Sequence, residues 1–154
     1  MRLLCDEMLK GLARWLRAAG HDTEIAEDGE LDRSLIARAL ADDRLLLTRD
    51  RKLLEFRDAE KVVRLLDCNG LDDCARAVSN HLGLDWLTRP FSRCLLCNVP
   101  IVPVKQVEGQ NIPADVRNQP LWQCPHCQRI YWQGGHVRRM RARLEGWARE
   151  GGAS

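Results

Sequence analysis

The sequence predicts an α/β protein: a parallel sheet covered by helices on both faces, then a small cysteine-bound module and a terminal helix. Two observations predict it. Over residues 1–86, short apolar runs alternate with segments of helical periodicity, the pattern of parallel strands joined by crossover helices. Further along lie two CxxC pairs, Cys94-Leu-Leu-Cys97 and Cys124-Pro-His-Cys127, whose four thiolates on two tight turns can surround one zinc ion tetrahedrally. The expected division is a sheet domain over 1–86 and a zinc ribbon with a basic C-terminal helix over 87–154.

The elements follow in order. Arg2-Leu-Leu-Cys5 reads as a first strand ending at Asp6. From Met8 to Ala19, Leu9, Leu12, Ala13, Leu16 and Ala19 recur at helical spacing, and Gly20 stops the helix. A short strand at Thr23-Glu-Ile25 and a turn at Glu27-Asp-Gly-Glu30 come next, and Asp32 opens a helix over Arg33–Ala41. Leu45-Leu-Leu-Thr48 is a buried strand, from which Arg49-Asp50 leads into a short helix around Arg51–Phe56. Val62-Val-Arg-Leu-Leu66 is a fourth strand, closed by Asp67-Cys-Asn-Gly70, and a helix from Asp72 to His81 completes the unit. The 26 residues between the cysteine pairs, with four prolines, read as ribbon strands around a loop at Glu108-Gly-Gln-Asn111. The terminal Gly-Gly-Ala-Ser is expected to fray.

With cysteine at all four positions, zinc here would fold the module and keep no open site for chemistry. His126 and His136 are the rival ligands, otherwise surface histidines. Cys5, Cys68 and Cys74 sit in apolar or helical stretches and are expected to be buried free thiols. No apolar leader with a cleavage site is present, so a cytoplasmic protein is expected, and the longest apolar runs are too short to span a membrane.

Charge is unevenly spread. Residues 1–86 carry 14 Lys/Arg against 18 Asp/Glu, a net −4, whereas residues 87–154 carry 10 against 4, a net +6. A basic second half suits a polyanion, and the acidic body concentrates carboxylates. In a parallel sheet the ligand crevice lies outside the carboxyl ends of the strands. Asp6 and Asp50 follow strands there and Asp32 heads a helix entered from another, so three carboxylates are expected to meet at one edge. Asp67 is a positional candidate for a fourth, while Asp42 and Asp43 precede a strand and fall on the opposite edge. Gathered carboxylates raise one another's pKa or recruit a hard divalent cation, Mg²⁺ or Mn²⁺. The competing reading makes each aspartate only a helix N-cap. Lys10, Arg14 and Arg17 form a stripe on the first helix, and Arg49 and Arg51 flank Asp50; these cations would hold phosphates of a polyanionic substrate.

Asp6, then Met8-Leu-Lys-Gly-Leu-Ala-Arg-Trp-Leu-Arg17, Gly20-His-Asp22 and Leu46-Leu-Thr-Arg-Asp-Arg51 together resemble the PIN-type RNase domain of the mutator-seven C-terminal family. The ribbon segments Cys94–Cys97, Cys124–Cys127 and Ile130-Tyr-Trp-Gln-Gly-Gly-His136 are similar as well. The resemblance implies a Rossmann-like PIN fold whose acidic cluster binds Mg²⁺ or Mn²⁺ for RNA cleavage, with Asp6, Asp32 and Asp50 as the matching acids. The function it implies is a metal-dependent endoribonuclease, and the RNA it acts on is expected to be single-stranded. Thr48, two residues before Asp50, is a candidate to orient a water or a carboxylate, with plain strand-end packing as the other reading. A non-catalytic RNA- or ribosome-binding adaptor, with the carboxylates as caps, is the alternative.

The tail is expected to guide RNA. Val137, Met140, Leu144 and Trp147 make an apolar stripe surrounded by Arg138, Arg139, Arg141, Arg143 and Arg149. Trp122, Tyr131 and Trp132 lie beside the knuckles, where an aromatic can stack on a base or fill the ribbon's own core; Trp132 is read as core and Trp122 is left open.

Overall fold

The computed structural model describes residues 1–105 and 112–151, so the loop expected at Glu108–Asn111 and the last three residues of the terminal Gly-Gly-Ala-Ser lie outside the described residues. Strands β1 (Arg2–Cys5), β2 (Asp22–Ile25), β3 (Leu45–Thr48) and β4 (Val63–Leu65) form one parallel sheet in the order β2-β1-β3-β4. They alternate with helices α1 (Lys10–Ala18), α2 (Asp32–Asp42), α3 (Ala59–Val62) and α4 (Leu71–Leu82). Short 3-10 turns at Glu7–Leu9 and Arg51–Glu55 lead out of β1 and β3. The fourth strand begins one residue later than expected, because Val62 closes α3.

The side-chain period of two explains why leucine runs serve as strands. Leu3, Cys5 and Leu47 face α1 and α4, whereas Leu4 and Leu46 face α2 and α3. Both faces are covered at β1 and β3, so these central strands read as apolar runs, whereas the edge strand β2 (Asp-Thr-Glu-Ile) keeps polar residues. Cys5 is fully buried, and that burial pushes its thiol far above its ordinary pKa, so it is an inert core residue.

Helix α5 (Gly135–Gly151) is grouped with the ribbon by the sequence reading, yet it packs on α4. Leu144 and Trp147 enter the α1/α4 core, where Trp147 meets Trp15 edge-on at 5.0 Å and Trp86 at 4.8 Å between ring centroids. The Trp147 indole N–H donates to Asp72 Oδ1 at 2.9 Å. Arg143 pairs with the same carboxylate at 3.1 Å and lies over the rings of Trp15 and Trp147. That arginine therefore belongs to the packing of the helix, as does Arg141, which lies over Phe91.

The ribbon is an antiparallel sheet of β5 (Val102–Val104), β6 (Leu121–Gln123) and β7 (Ile130–Tyr131). Ile112, Val116, Leu121 and Ile130 form its small core, with Val104 and Trp132 packed against it. Trp122 is half-buried and pairs in register with Tyr131. Cys68 and Cys74, expected as free thiols, are joined in a disulfide across the turn that enters α4. Their Cα atoms are 5.0 Å apart, within the reach of such a bond; a six-residue separation gave no sign of that turn's tightness. Among the described residues, no helix is long and apolar enough to cross a membrane.

The end of α1 is where the two halves first touch. His21 N–H bonds Leu16 O and Gly20 N–H bonds Arg17 O, the paired bonds that close a helix on a left-handed residue. Gly20 supplies that residue, with φ +98°, and the chain at Arg89 passes so close that a Cβ here would lie 2.3 Å from the Arg89 carbonyl oxygen. Gly20→Ala is therefore expected to destabilise the protein by more than the roughly 1 kcal/mol of a strained φ alone, measured by chemical denaturation.

Candidate active site and metal centre

The chain leaves β1 toward β2 on one side and reaches β3 on the other, so β1 and β3 lie side by side where the strand order reverses. A crevice at the carboxyl ends of the strands opens at that point. Asp6 follows β1 and Asp50 follows β3 by one residue. Thr48, fully buried at the end of β3, joins them: its hydroxyl donates to Asp6 Oδ2 and accepts the Asp50 backbone N–H at 3.0 Å. Asp6 Oδ1 accepts the N–H of Met8 at 3.1 Å, and Asp50 Oδ1 accepts that of Lys52 at 3.0 Å. Both aspartates thus cap the 3-10 turns that follow them, using one oxygen each for the purpose. Among the described residues, Asp50 Oδ2 is left without a protein partner.

Asp32 differs. It is the first residue of α2, Leu31 holds the cap position, and its half-buried carboxylate makes no hydrogen bond or ion pair among the described residues. Asp6, Asp32 and Asp50 line one depression of about 90 Å³ together with Glu7, Glu27 and Glu30. That volume is room for about three waters. Glu30 is partly engaged, since its Oε1 accepts the Glu27 N–H and an Arg38 N–H, each at 3.0 Å. Glu27 is exposed and unengaged. The further acids lining the depression are Glu7, next to Asp6, and Glu27 and Glu30 of the turn after β2, which sequence reading took only as a turn. The signal was present in topology: β2 is parallel to β1, so the residues after it arrive at the same edge. Asp67, the positional candidate, is exposed and does not line the depression.

The cysteines form the second centre. The Sγ atoms of Cys94, Cys97, Cys124 and Cys127 all lie within 4.8 Å of one another, so they can hold one metal ion as they stand. The two knuckles repeat one geometry. Asn98 N–H returns to Cys94 O and Gln128 N–H to Cys124 O, at 2.9 and 3.0 Å, and both closing residues have φ of 68°. The N–H groups of Cys97 and Cys127 each point at the sulfur three residues back, at 3.4 Å. The Tyr131 hydroxyl donates to Cys94 Sγ at 3.1 Å. His126 and His136 are exposed and outside the cluster.

The family model of the Mut7-C RNAse domain matches residues 1–144. The chain belongs to that family. A curated human protein, "Exonuclease mut-7 homolog", is 30% identical over 129 residues, covering 81% of this chain and 14% of the human protein. The chain thus spans about one seventh of that relative's length. No solved structure matches the chain.

In this Mut7-C domain the basic residues expected at the acids divide into two groups. Arg49 and Arg51 are exposed beside Asp50, and Arg14 is exposed on α1; none has a protein partner among the described residues. Lys10 is exposed and pairs with Asp28 at 2.7 Å. Arg17 does not share the surface with them. It is 5% exposed and points inward, with Nε donating to Thr23 O at 2.8 Å and one terminal nitrogen to Leu95 O and Leu96 O at 2.8 and 3.2 Å. The expected phosphate contact is therefore corrected to a structural one: three residues past Arg14, the helix has turned Arg17 from solvent toward the first knuckle. Asn98, which sequence reading passed over, completes the join. Buried at 4% exposure, it accepts the Thr23 N–H at 2.9 Å and donates to Asp22 Oδ1 at 2.7 Å.

The electrostatics of Asp6 follow from its depth. Burial raises its carboxyl above the ordinary 3.8, the hydrogen bonds from Thr48 and the backbone pull it back, and the charge of Asp50 raises it again. The folded protein consequently holds that proton more tightly than the unfolded chain does. The resulting stability is present at low pH and is lost as pH rises through the raised folded value. In metal-free protein, wild type is expected to lose stability relative to Asp6→Asn as pH climbs from about 4 toward neutrality, followed by thermal melts of both. Thr48→Val removes a donor to Asp6 and strands the Asp50 N–H, at an expected cost of about 1–3 kcal/mol in urea unfolding. Arg17→Met frees three carbonyls at the join and is expected to lower the melting temperature and loosen any ion held by the cysteines, read by competition with a chromogenic chelator.

Proposed function

We propose that this Mut7-C domain is a divalent-metal-dependent endoribonuclease of PIN type, with a structural zinc ion in its ribbon. The observation that carries the reading is the acidic depression at the strand-order reversal, where Asp6, Asp32 and Asp50 converge and Asp32 has no structural partner. The donor set fits the cation: hard carboxylate oxygens suit Mg²⁺ or Mn²⁺, and the depression leaves room for the waters these ions keep. Among the described residues the carboxylates are spread more openly than the thiols. Asp6, Asp32 and Asp50 would hold the ion, and Glu7 and Glu27 line the same depression with no side-chain partner among the described residues. A divalent cation bound there supplies Lewis acidity toward phosphoryl oxygens and makes hydroxide accessible near neutral pH.

The chain's own residues do the rest. Thr48 fixes the Asp6 rotamer, so one acid is preorganised. Arg49 and Arg51, exposed on either side of Asp50 in the chain and unpaired among the described residues, would bind phosphates of the substrate, and RNA is the substrate the family's name supports. Zinc held by four cysteines has no open position and would serve the fold alone.

The adaptor reading draws on one observation, that Asp6 and Asp50 both act as caps. One experiment decides between them: cleavage of a labelled single-stranded RNA with Mg²⁺, with Mn²⁺ and without divalent ion, for wild type, Asp32→Asn and Asp50→Asn. The nuclease is expected to cut only with metal, and each variant to lose at least about 100-fold in rate while still binding RNA. Asp32 is the sharper probe, because among the described residues its carboxylate makes no hydrogen bond or ion pair that the substitution would break. Absent cleavage with RNA still bound would leave the adaptor, and cleavage that persists without divalent ion or in both variants would overturn the metal-dependent reading. Activity is also expected to fall at acid pH, as Asp6 takes up its proton at a raised pKa.

A further inference from the structure

A groove of about 430 Å³ runs between α1, the first knuckle, β7 and the start of α5, away from the acidic depression. Arg14, Leu96, Arg129, Tyr131, Trp132 and His136 line it, and no acidic residue does. Its volume is that of a small-molecule site. We infer that this groove binds an unpaired nucleotide of RNA, with the base against Trp132 and Tyr131 and the flanking phosphates on Arg14 and Arg129.

Three features of the groove select that ligand over an apolar peptide. The side chains of Arg14 and Arg129 are exposed and make no hydrogen bond or ion pair among the described residues, whereas Lys10, one turn before Arg14, is paired with Asp28. Cations left unpaired beside apolar walls suit a ligand that brings both charge and a flat apolar surface, as a nucleotide does. The aromatic walls are fixed before anything binds. Tyr131 is held by its hydroxyl, which donates to Cys94 Sγ and accepts the Leu95 N–H at 3.2 Å. Trp132 packs one side on the ribbon core, and its indole lies over Gly134 so closely that a Cβ there would sit 2.9 Å from Nε1. A rigid, half-buried ring loses little freedom when a base stacks on it. Finally, Arg17 and the knuckle set the opposite wall, since the Leu95 and Leu96 carbonyls are bound to the Arg17 guanidinium.

The groove is also in line with the acids. Lys10 begins α1 at the acidic edge, and Arg14 lies four residues on, about one turn or 6 Å along the same helix face. A single strand with one phosphate at the acids can follow that face into the groove. In this respect alone the inference rests on the nuclease reading; the lining argues for itself.

The test is fluorescence anisotropy of a 5′-labelled single-stranded oligouridine, titrated with full-length protein at several salt concentrations without added divalent ion. Wild type is compared with the double variant Arg14→Ala/Arg129→Ala, and thermal melts and zinc content check that the fold persists. The double variant is expected to bind about tenfold more weakly or worse, with a salt slope shallower by about 1.4, that of two lost phosphate contacts. Photocrosslinking of 4-thiouridine RNA to unmodified protein is expected to mark the segment 129–137. Unchanged affinity and slope in a folded double variant, or crosslinks confined to other segments, would overturn the inference, as would wild type that binds no RNA. Cleavage assays separate the two readings. RNA bound through the groove without cleavage leaves this inference standing and removes the nuclease; cleavage with an unchanged KM in the double variant does the reverse.

Discussion

Arg17 reaches from the buried side of α1 to one carbonyl on the edge strand β2 and two in the first cysteine knuckle, and the rest of the arrangement hangs on that reach. A charge placed at 5% exposure is costly unless its donors are satisfied, so the guanidinium holds those carbonyls in place or the fold opens. Asn98 repeats the connection a few residues away, giving β2 the partner its exposed edge lacks. Gly20 permits it sterically, by letting the chain at Arg89 pass against the end of α1. The ribbon is thereby a fixture of the sheet, and the groove between them has a defined shape.

The acidic edge shows how cap and ligand roles coexist. Asp6 and Asp50 each spend one oxygen on the turn that follows, and Thr48 ties the two together without using Asp50 Oδ2. Capping thus orients a carboxylate at little expense to its remaining acceptor capacity, because an ionised carboxylate offers about four lone-pair sites. Asp32 has no such employment, which is why its position in the depression speaks for binding more clearly than theirs.

The two basic populations have different work. Arg143 and Arg141 lie over Trp15, Trp147 and Phe91 and seat the terminal helix on the sheet domain. Arg14, Arg49, Arg51 and Arg129 face solvent unpaired, and they cluster at the acids and at the groove. Net charge in the second half therefore does not separate arginines that pack the terminal helix from those left exposed.

Local chemistry was legible in the sequence, because it depends on neighbours a few residues apart. The alternation of strands and helices follows from apolar spacing, the stop at Gly20 from its conformational freedom, and the four-cysteine cluster from two CxxC turns. Asp6 and Asp50 were legible because strand ends in a parallel sheet share an edge. What only the tertiary structure decided are matters of contact between distant segments. Arg17 and Arg14 look alike in the chain, and packing alone turned one inward. The Glu27–Glu30 turn joined the acids once β2 lay beside β1. Helix α5 packs on α4 because Trp147 meets Trp15, Trp86 and Asp72, residues separated from it by 60 positions or more. The sequence by itself determined the main strands and helices and the four cysteines that can share a metal ion, because these depend on close neighbours. The tertiary structure decided which side chains are spent on holding the halves together, because that depends on contact between distant segments.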